Sequence, residues 1–403
     1  MVTPAFLPYG RQVIEDDDIA AVTAALRADY LTTGPTVELF ERAFAGEVGA
    51  AHAVACNSGT AALHLATMAL GLGADDWMIV PSLTFLATAN AARYVGAEVE
   101  FADVDPDTGL LTEATLAEAL ARAQRAGRSV KAVSVVHLGG RIAPVRAIAA
   151  LARDLPIVED ACHALGTTYD DGGSQARVGD QRHGKLATFS FHPVKTIAVG
   201  EGGMITTNDA ALAARMRLAR NHGMTRDPDA FSDIVAAVSP DGKINPWYYE
   251  MPEPGYNYRL PDILCALGLS QLAKLKRFIA RRRALAAQYD AALASLAPLV
   301  RPVPPVAGCN PALHLYVVLI AFDRIGLSRE QVMMRLRERG IGSQVHYIPV
   351  HRQPYYRKRY GDLALPGADA YYRRALSLPL FPSMSDDDVR RVVDALGEIV
   401  NRP

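Results

Sequence analysis

Four cysteines in 403 residues, Cys56, Cys162, Cys265 and Cys309, are too few and too scattered to build a framework. They form no CxxC pair, which disfavours structural zinc and a disulfide-stapled fold and points to a reducing compartment. Excess charge is also missing. The formal net charge is -1, so no broad field draws in nucleic acid or an anionic membrane. No apolar run reaches the length of a membrane span. The opening MVTPAFLPYGRQVIEDDDIAAV has no basic start followed by an apolar stretch, so no secretory leader is evident. A cytoplasmic protein with neither a nucleic-acid nor a membrane partner is expected. Internal repeats and low-complexity tracts are absent too. There are ten histidines but no HExxH or comparable cluster, so no metal site is expected.

What is present is the ordinary mix of a globular enzyme: 50% hydrophobic and 21% charged residues. The length predicts two domains sharing a seam. Short apolar runs recur at 51–56, 77–82, 97–104, 131–138, 155–160, 186–192 and 203–208. Alanine-rich helical patterns such as TAALHLATMAL, TFLATANAARYV and PVRAIAALARDL lie between most of them. Such alternation predicts an α/β fold, with a largely parallel sheet covered by helices on both faces. After residue 225 a stretch rich in Pro, Asp and aromatics reads as a long excursion. Pro261 then opens a helical run to about residue 296. The remaining mixture of strands and helices suits a smaller α+β domain. The expected division is 1–260, including an N-terminal arm that could pack on either domain, and 261–403.

Four segments carry candidate chemistry. In CNSGTAALHLATMAL a strand ends at Cys56 and a helix begins after Asn57-Ser58-Gly59-Thr60. Free N–H groups at a helix start bind anions, and Gly59 lets a phosphate approach the backbone; plain capping by Ser58 or Thr60 is the competing reading. Asp160 closes the run LPIVED, at the edge where parallel sheets place ligands. There it is suited to holding a proton on a heterocyclic nitrogen, or to capping a loop. His163 follows three residues later. In SFHPVKTIAVGEGGMITTN, Lys195 sits in an apolar turn, where a lysine amine loses part of its basicity and becomes a nucleophile. Ser190 lies five residues before it, within reach of the same anion. In GYNYRLPDI, Asn257 and Arg259 stand among aromatics before a long helix.

In this order the pieces resemble the DegT-type sugar aminotransferases, which are fold-type-I enzymes dependent on pyridoxal 5'-phosphate. The resemblance covers nearly the whole chain, through LTTGP (31–35), NSGTAALHLA, PSLTFLATANA (81–91), FADVDPDT (101–108), VEDACHALG (158–166), the lysine segment, GYNYRLPDI and HYIPVH (346–351). It implies a large domain with a mostly parallel seven-stranded sheet between helices, and a smaller C-terminal domain. It implies that Lys195 is the catalytic residue and carries the cofactor. Asp160 would pair with the pyridinium nitrogen, His163 would bond near the phenolic oxygen, and Phe85 would stack on the ring. Ser190, Gly59 and Thr60 would hold the phosphate. Asn257 would arrive from a neighbouring subunit, giving a homodimer with shared active sites. The likeness is greatest to members that aminate C4 of a UDP-linked 4-keto-6-deoxy-N-acetyl sugar in pseudaminic acid biosynthesis, with L-glutamate as donor. By that analogy Tyr9, Asp29, Tyr30, Leu31, Thr32, Gln344, Val345, His346 and Tyr347 would touch the sugar nucleotide, together with Gly59, Ser190 and Asn257. Cys162 departs from the alanine frequent in relatives, and the long excursion leaves its own substrate contacts open. Other readings are a UDP-bacillosamine-type, dTDP or GDP keto-sugar aminotransferase, or a sugar-nucleotide-binding regulator without turnover. Lys195 argues against the relatives that replace this lysine with histidine and act as dehydratases.

Overall fold

The computed structural model describes residues 5–401. Each of the seven apolar runs becomes a strand: β1 (His52–Cys56), β2 (Asp76–Pro81), β3 (Glu98–Ala102), β4 (Ser129–Val136) and β5 (Ile157–Asp160), then, past a small hairpin of β6 (Thr168–Asp170) and β7 (Gln175–Arg177), β8 (Leu186–Ser190) and β9 (Gly203–Thr207). Together, β1 to β5 with β8 and β9 form one sheet, in the order β1-β9-β8-β5-β4-β2-β3. Neighbours pair in parallel from β3 to β8, whereas β9 runs against both β8 and β1. Six strands therefore share one direction and present their carboxyl ends at one edge. The strands bury nearly every residue toward that edge. This is why the sequence shows continuous apolar runs rather than alternation.

Glycine at 203 is needed where β9 starts between β1 and β8. A Cβ there would come within 2.3 Å of the Ser58 carbonyl. The turn after β1 and the start of the following helix, Gly59–Ala69, are thereby held against the sheet edge.

The helical run after Pro261 is two helices, Asp262–Ala273 and Leu275–Leu293. They meet at Lys274, whose buried ammonium reaches Asp17 (2.5 Å) and Asp18 (2.7 Å) of helix Asp16–Leu26. The pair spans two cores. Cys265, Leu272, Leu275 and Ile279 join a cluster with Phe40, Phe44 and Phe191, while Leu285, Tyr289 and Leu293 join a C-terminal one. That second core lies around β10 (Val300–Pro302), β12 (Tyr316–Ile320) and β13 (Ala375–Leu378), an antiparallel sheet. The short β11 (Cys309–Asn310) pairs instead with β6. The last helix, Asp386–Asn401, buries Val389, Val392, Val393, Leu396, Ile399 and Val400, a helical stripe against the C-terminal core.

The arm before residue 16, left free by the sequence to pack on either domain, reaches the C-terminal one. Leu7 bridges Ile341 and belongs to the C-terminal core, and the Tyr9 carbonyl accepts from the Leu380 N–H. The excursion at 225–253 holds only short turns, tied by a Thr225–Glu250 bridge. The Glu250 carboxylate accepts from Ser232, Asp233 and Tyr248. Trp247, 70% exposed, and Tyr249 and Met251 point away from both cores. No helix among the described residues is long and apolar enough to cross a membrane.

Candidate active site

Between the carboxyl edge of the large sheet and the C-terminal domain lies a cavity of about 630 Å³, a size suited to a small organic ligand. Its floor comes from the ends of β4, β5 and β8, and from the turns that follow β1, β2 and β8.

Asp160 is the last residue of β5 and is buried. Both of its carboxylate oxygens are held. The Thr88 hydroxyl donates to Oδ2 at 2.6 Å and the Cys162 N–H to Oδ1 at 3.2 Å. Thr88 is itself fixed by Thr84 at 2.7 Å. A carboxylate locked in this way stays aimed into the cavity, where it can pair with a protonated ring nitrogen. Lys195 follows β8 in a turn closed by its own N–H, which donates to the His192 carbonyl at 2.8 Å. Burial pushes its amine below the ordinary lysine value, opposed by Cys162 and Asp160 nearby. A larger neutral fraction makes it a better nucleophile and base.

The anion cradle is built at the start of helix Gly59–Ala69. Ser58 caps it, its hydroxyl accepting from the Ala61 N–H at 3.0 Å. Capping and anion binding are therefore compatible here, since the N–H groups of Gly59 and Thr60 find no partner among the described residues. A Cβ at position 59 would sit 2.8 Å from the Ser190 Cβ, so only glycine keeps this space open beside the serine hydroxyl. Phe85 stands on the wall with its ring 53% exposed, 5.8 Å from Tyr347 between centroids. An unpaired N–H cradle, a buried carboxylate, a half-buried amine and an open aromatic face fit pyridoxal phosphate.

The opposite wall comes from residue 314 and from 344–348. His163 reaches toward it from the floor. Its Nδ1 accepts from the Gly139 N–H at 3.2 Å, and its Nε2 faces the Tyr347 hydroxyl at 3.1 Å. Burial, helped by Lys195 and His346, pushes His163 well below the usual imidazole range. His346 bonds Ser377 at 2.8 Å and is pushed down to about 3 by burial. Gln344 and Val345 line the same wall, and Tyr9, carried on the arm, packs against His346.

The cavity therefore gathers Gly59, Thr60, Phe85, Asp160, His163, Ser190, Lys195, Tyr9, Gln344, Val345, His346 and Tyr347. It does not gather Asp29, Tyr30, Leu31 and Thr32, which are exposed on the surface, or Asn257. The Asn257 carbonyl accepts from the Asn57 side chain at 3.4 Å, and Asn257 is exposed. Sequence reasoning missed Thr88, which sits one helical turn into an alanine-rich pattern, and His314, which was read only as the first residue of a strand.

Over residues 12–397 the chain matches the DegT/DnrJ/EryC1/StrS aminotransferase family. It is 41% identical over 400 residues to the spore coat polysaccharide biosynthesis protein SpsC of Bacillus subtilis, covering 98% of this chain and 97% of that one. Among solved structures it is similar to Helicobacter pylori PseC, an aminotransferase involved in the biosynthesis of pseudaminic acid. The TM-score is 0.86 at 27% identity, with 98% of this chain and 99% of that one covered. It is also similar to Spr1654 of Streptococcus pneumoniae in its PLP form, with a TM-score of 0.85 at 25% identity and the same coverage of both chains. With a match of this extent and a cavity whose lysine, carboxylate and anion cradle suit the cofactor, the chain belongs to the DegT/DnrJ/EryC1/StrS family of pyridoxal-phosphate-dependent sugar aminotransferases.

Proposed function

We propose that this sugar aminotransferase moves an amino group from L-glutamate to C4 of a UDP-linked 4-keto-6-deoxy-N-acetyl sugar. The specific substrate is UDP-2-acetamido-2,6-dideoxy-β-L-arabino-hexos-4-ulose, and the product UDP-4-amino-4,6-dideoxy-N-acetyl-β-L-altrosamine. The observation that carries this reading is the pairing of PWYYEMPEPGYNYRL with SFHPVKTI in one chain. The whole-chain likeness to PseC supports it.

Bound pyridoxal phosphate supplies an electron-accepting ring through which the amino group passes. Lys195 would hold the cofactor, and its free amine would take the proton from the donor's α-carbon and return one to C4 of the sugar. Partial loss of basicity and a long stem suit it to both tasks. Asp160, locked by Thr88, keeps the ring nitrogen protonated. Gly59, Thr60 and Ser190 hold the phosphate, and Phe85 covers one face of the ring. We further propose that the enzyme is a homodimer. Asn257, outside its own chain's cavity, then completes the site of a partner, and Asp29 to Thr32 lie where sugar nucleotide crosses between subunits.

The test supplies the L-arabino keto sugar and its D-xylo epimer with glutamate, and solves product stereochemistry by NMR. The expected outcome is faster turnover of the L-arabino epimer. A pocket that pairs the C2 amide discriminates strongly against a plain 2-hydroxy sugar. Preference for the D-xylo epimer would move the enzyme to a bacillosamine-type reaction, and turnover of dTDP or GDP sugars alone would remove the UDP assignment. A second reading is favoured by the higher identity to SpsC: a different nucleotide-linked keto sugar, destined for a surface polysaccharide.

A further inference from the structure

The cavity must accept two unlike guests in turn. The amino donor brings a carboxylate, while the sugar brings uncharged ring oxygens to the same reacting carbon. Yet Lys195 is the sole lysine among the described residues lining it, and no arginine is among them. A guanidinium placed there would suit the carboxylate but would be left buried and unpaired against the sugar. Uncharged donors avoid this cost.

Two such donors face the cavity from the C-terminal side. One is Tyr347. His163 Nδ1 accepts from the Gly139 N–H, so the neutral ring carries its proton on Nε2 and donates it to the Tyr347 oxygen at 3.1 Å. The phenolic hydrogen is then left to point elsewhere, and it finds no other acceptor among the described residues. The second donor is His314. This ring is 4% exposed, lies 4.4 Å from His163 between centroids, and lines the cavity. Its Nδ1 is buried with no hydrogen-bond partner among the described residues. A buried N–H left without an acceptor is rarer than a bare acceptor, so the proton belongs on Nε2, the nitrogen left to meet the cavity. Burial and the adjacent His163 keep His314 uncharged.

We propose that His314 Nε2–H and the Tyr347 hydroxyl form one oxygen-binding subsite used in both half-reactions. It takes a carboxylate oxygen of the amino donor first and a neutral oxygen of the sugar second. The proposal rests on the aminotransferase activity, and not on which nucleotide sugar is used.

The experiment compares the cofactor-loaded wild type with His314→Phe, His314→Gln and Tyr347→Phe. Binding of glutarate, an unreactive dicarboxylate, is measured by calorimetry. Each half-reaction is followed separately through the cofactor's absorption band. His314→Phe should weaken glutarate about tenfold or more, because a donor to a charged acceptor is lost. The sugar half-reaction should lose about three- to tenfold in kcat/KM, because there the acceptor is neutral. His314→Gln keeps an N–H at similar reach and should recover to within about threefold of wild type. Tyr347→Phe should resemble His314→Phe in glutarate binding, and the resting absorption band should not move in either His314 variant. Unchanged glutarate binding in His314→Phe, a loss confined to one half-reaction, or a His314→Gln variant no better than the phenylalanine would each overturn the proposal. A wild type that aminates none of the sugars tested would remove the substrate reading alone, because the glutarate titration still decides this subsite.

Discussion

The two sides of the cavity are built from different chemistry. The floor, on the edge of the large sheet, carries the formal charges, Lys195, Asp160 and Glu201. The wall, from the C-terminal domain, carries His314, His346 and Tyr347, all held uncharged by burial. The floor's groups are fixed by bonds within the large domain, such as Thr88 to Asp160. The wall's groups are tied across the domain seam, as Tyr347 is to His163 on the floor, 184 positions away. The contrast separates two tasks. Moving protons and electrons calls for charge on a rigid sheet edge, and choosing a guest calls for donors that tolerate both charged and neutral oxygens.

The largest effect is expected on the floor. Lys195→Ala should lose at least about a thousandfold in turnover, since nucleophile and proton carrier leave together. Borohydride reduction followed by peptide mapping should fix the cofactor to Lys195 in the wild type and to no residue in the variant. Label on another lysine in the wild type would break the assignment of the floor.

A second test asks whether a third surface, from another copy, completes the contrast. Lys195→Ala and Asn257→Ala, each poorly active alone, are co-expressed and the mixed dimers assayed. If Asn257 crosses the interface, random pairing leaves about a quarter of all sites intact. Activity should rise to that fraction. No recovery, or an active monomer by sedimentation, would remove the shared site.

A smaller effect is expected from Thr88→Val, which keeps the shape but deletes the donor to Asp160. A loss of about three- to tenfold in kcat, with little change in KM, is expected for one such bond. An equal loss in KM would mean that Thr88 acts on substrate binding and not through the carboxylate.

The last test leaves turnover aside and concerns the wall's stability. His346 is uncharged in the fold down to about pH 3, whereas its unfolded form protonates near 6.5. Its folded pKa is depressed, so its contribution is complete above pH 6.5 and declines as pH falls from there toward 3. From pH 7 to pH 5 the fold should lose about 2 kcal/mol through this one ring. Denaturant unfolding of wild type and His346→Gln at both pH values reads it. A drop of the same size in the variant would show that His346 is already charged in the folded protein.

The floor was legible in the sequence because its parts are contiguous. A strand, a turn and the functional residue occur within a few positions, as in LPIVED and SFHPVK. Buried parallel strands also write themselves as apolar runs, and the seven runs are the seven strands of the large sheet. The wall was not legible in that way. Gln344 to Tyr347 entered only by resemblance, and His314 opens an apolar stretch where nothing local marks a polar role. Thr88 looks like any small helical residue until the helix is laid over β5. The break at Lys274 was also hidden, since no glycine or proline announces it. The carboxylates that meet the chain there lie some 250 positions earlier, on helix Asp16–Leu26.

The arm that carries Tyr9 bears on the order in which the protein is finished during synthesis. The Ala5 carbonyl accepts from Arg391, 386 positions away, and Leu7 lies in a core made otherwise of residues from 285 onward. At the pace of a ribosome that interval lasts about 20 to 80 s. Throughout it the large sheet can assemble, but the arm has no seat. Tyr9 is thus made long before the elements that seat it, and the cavity gains that side only when the C-terminal core closes over Leu7. A fusion partner that delays the last helix should therefore hold back the sugar site while leaving the cofactor floor already formed.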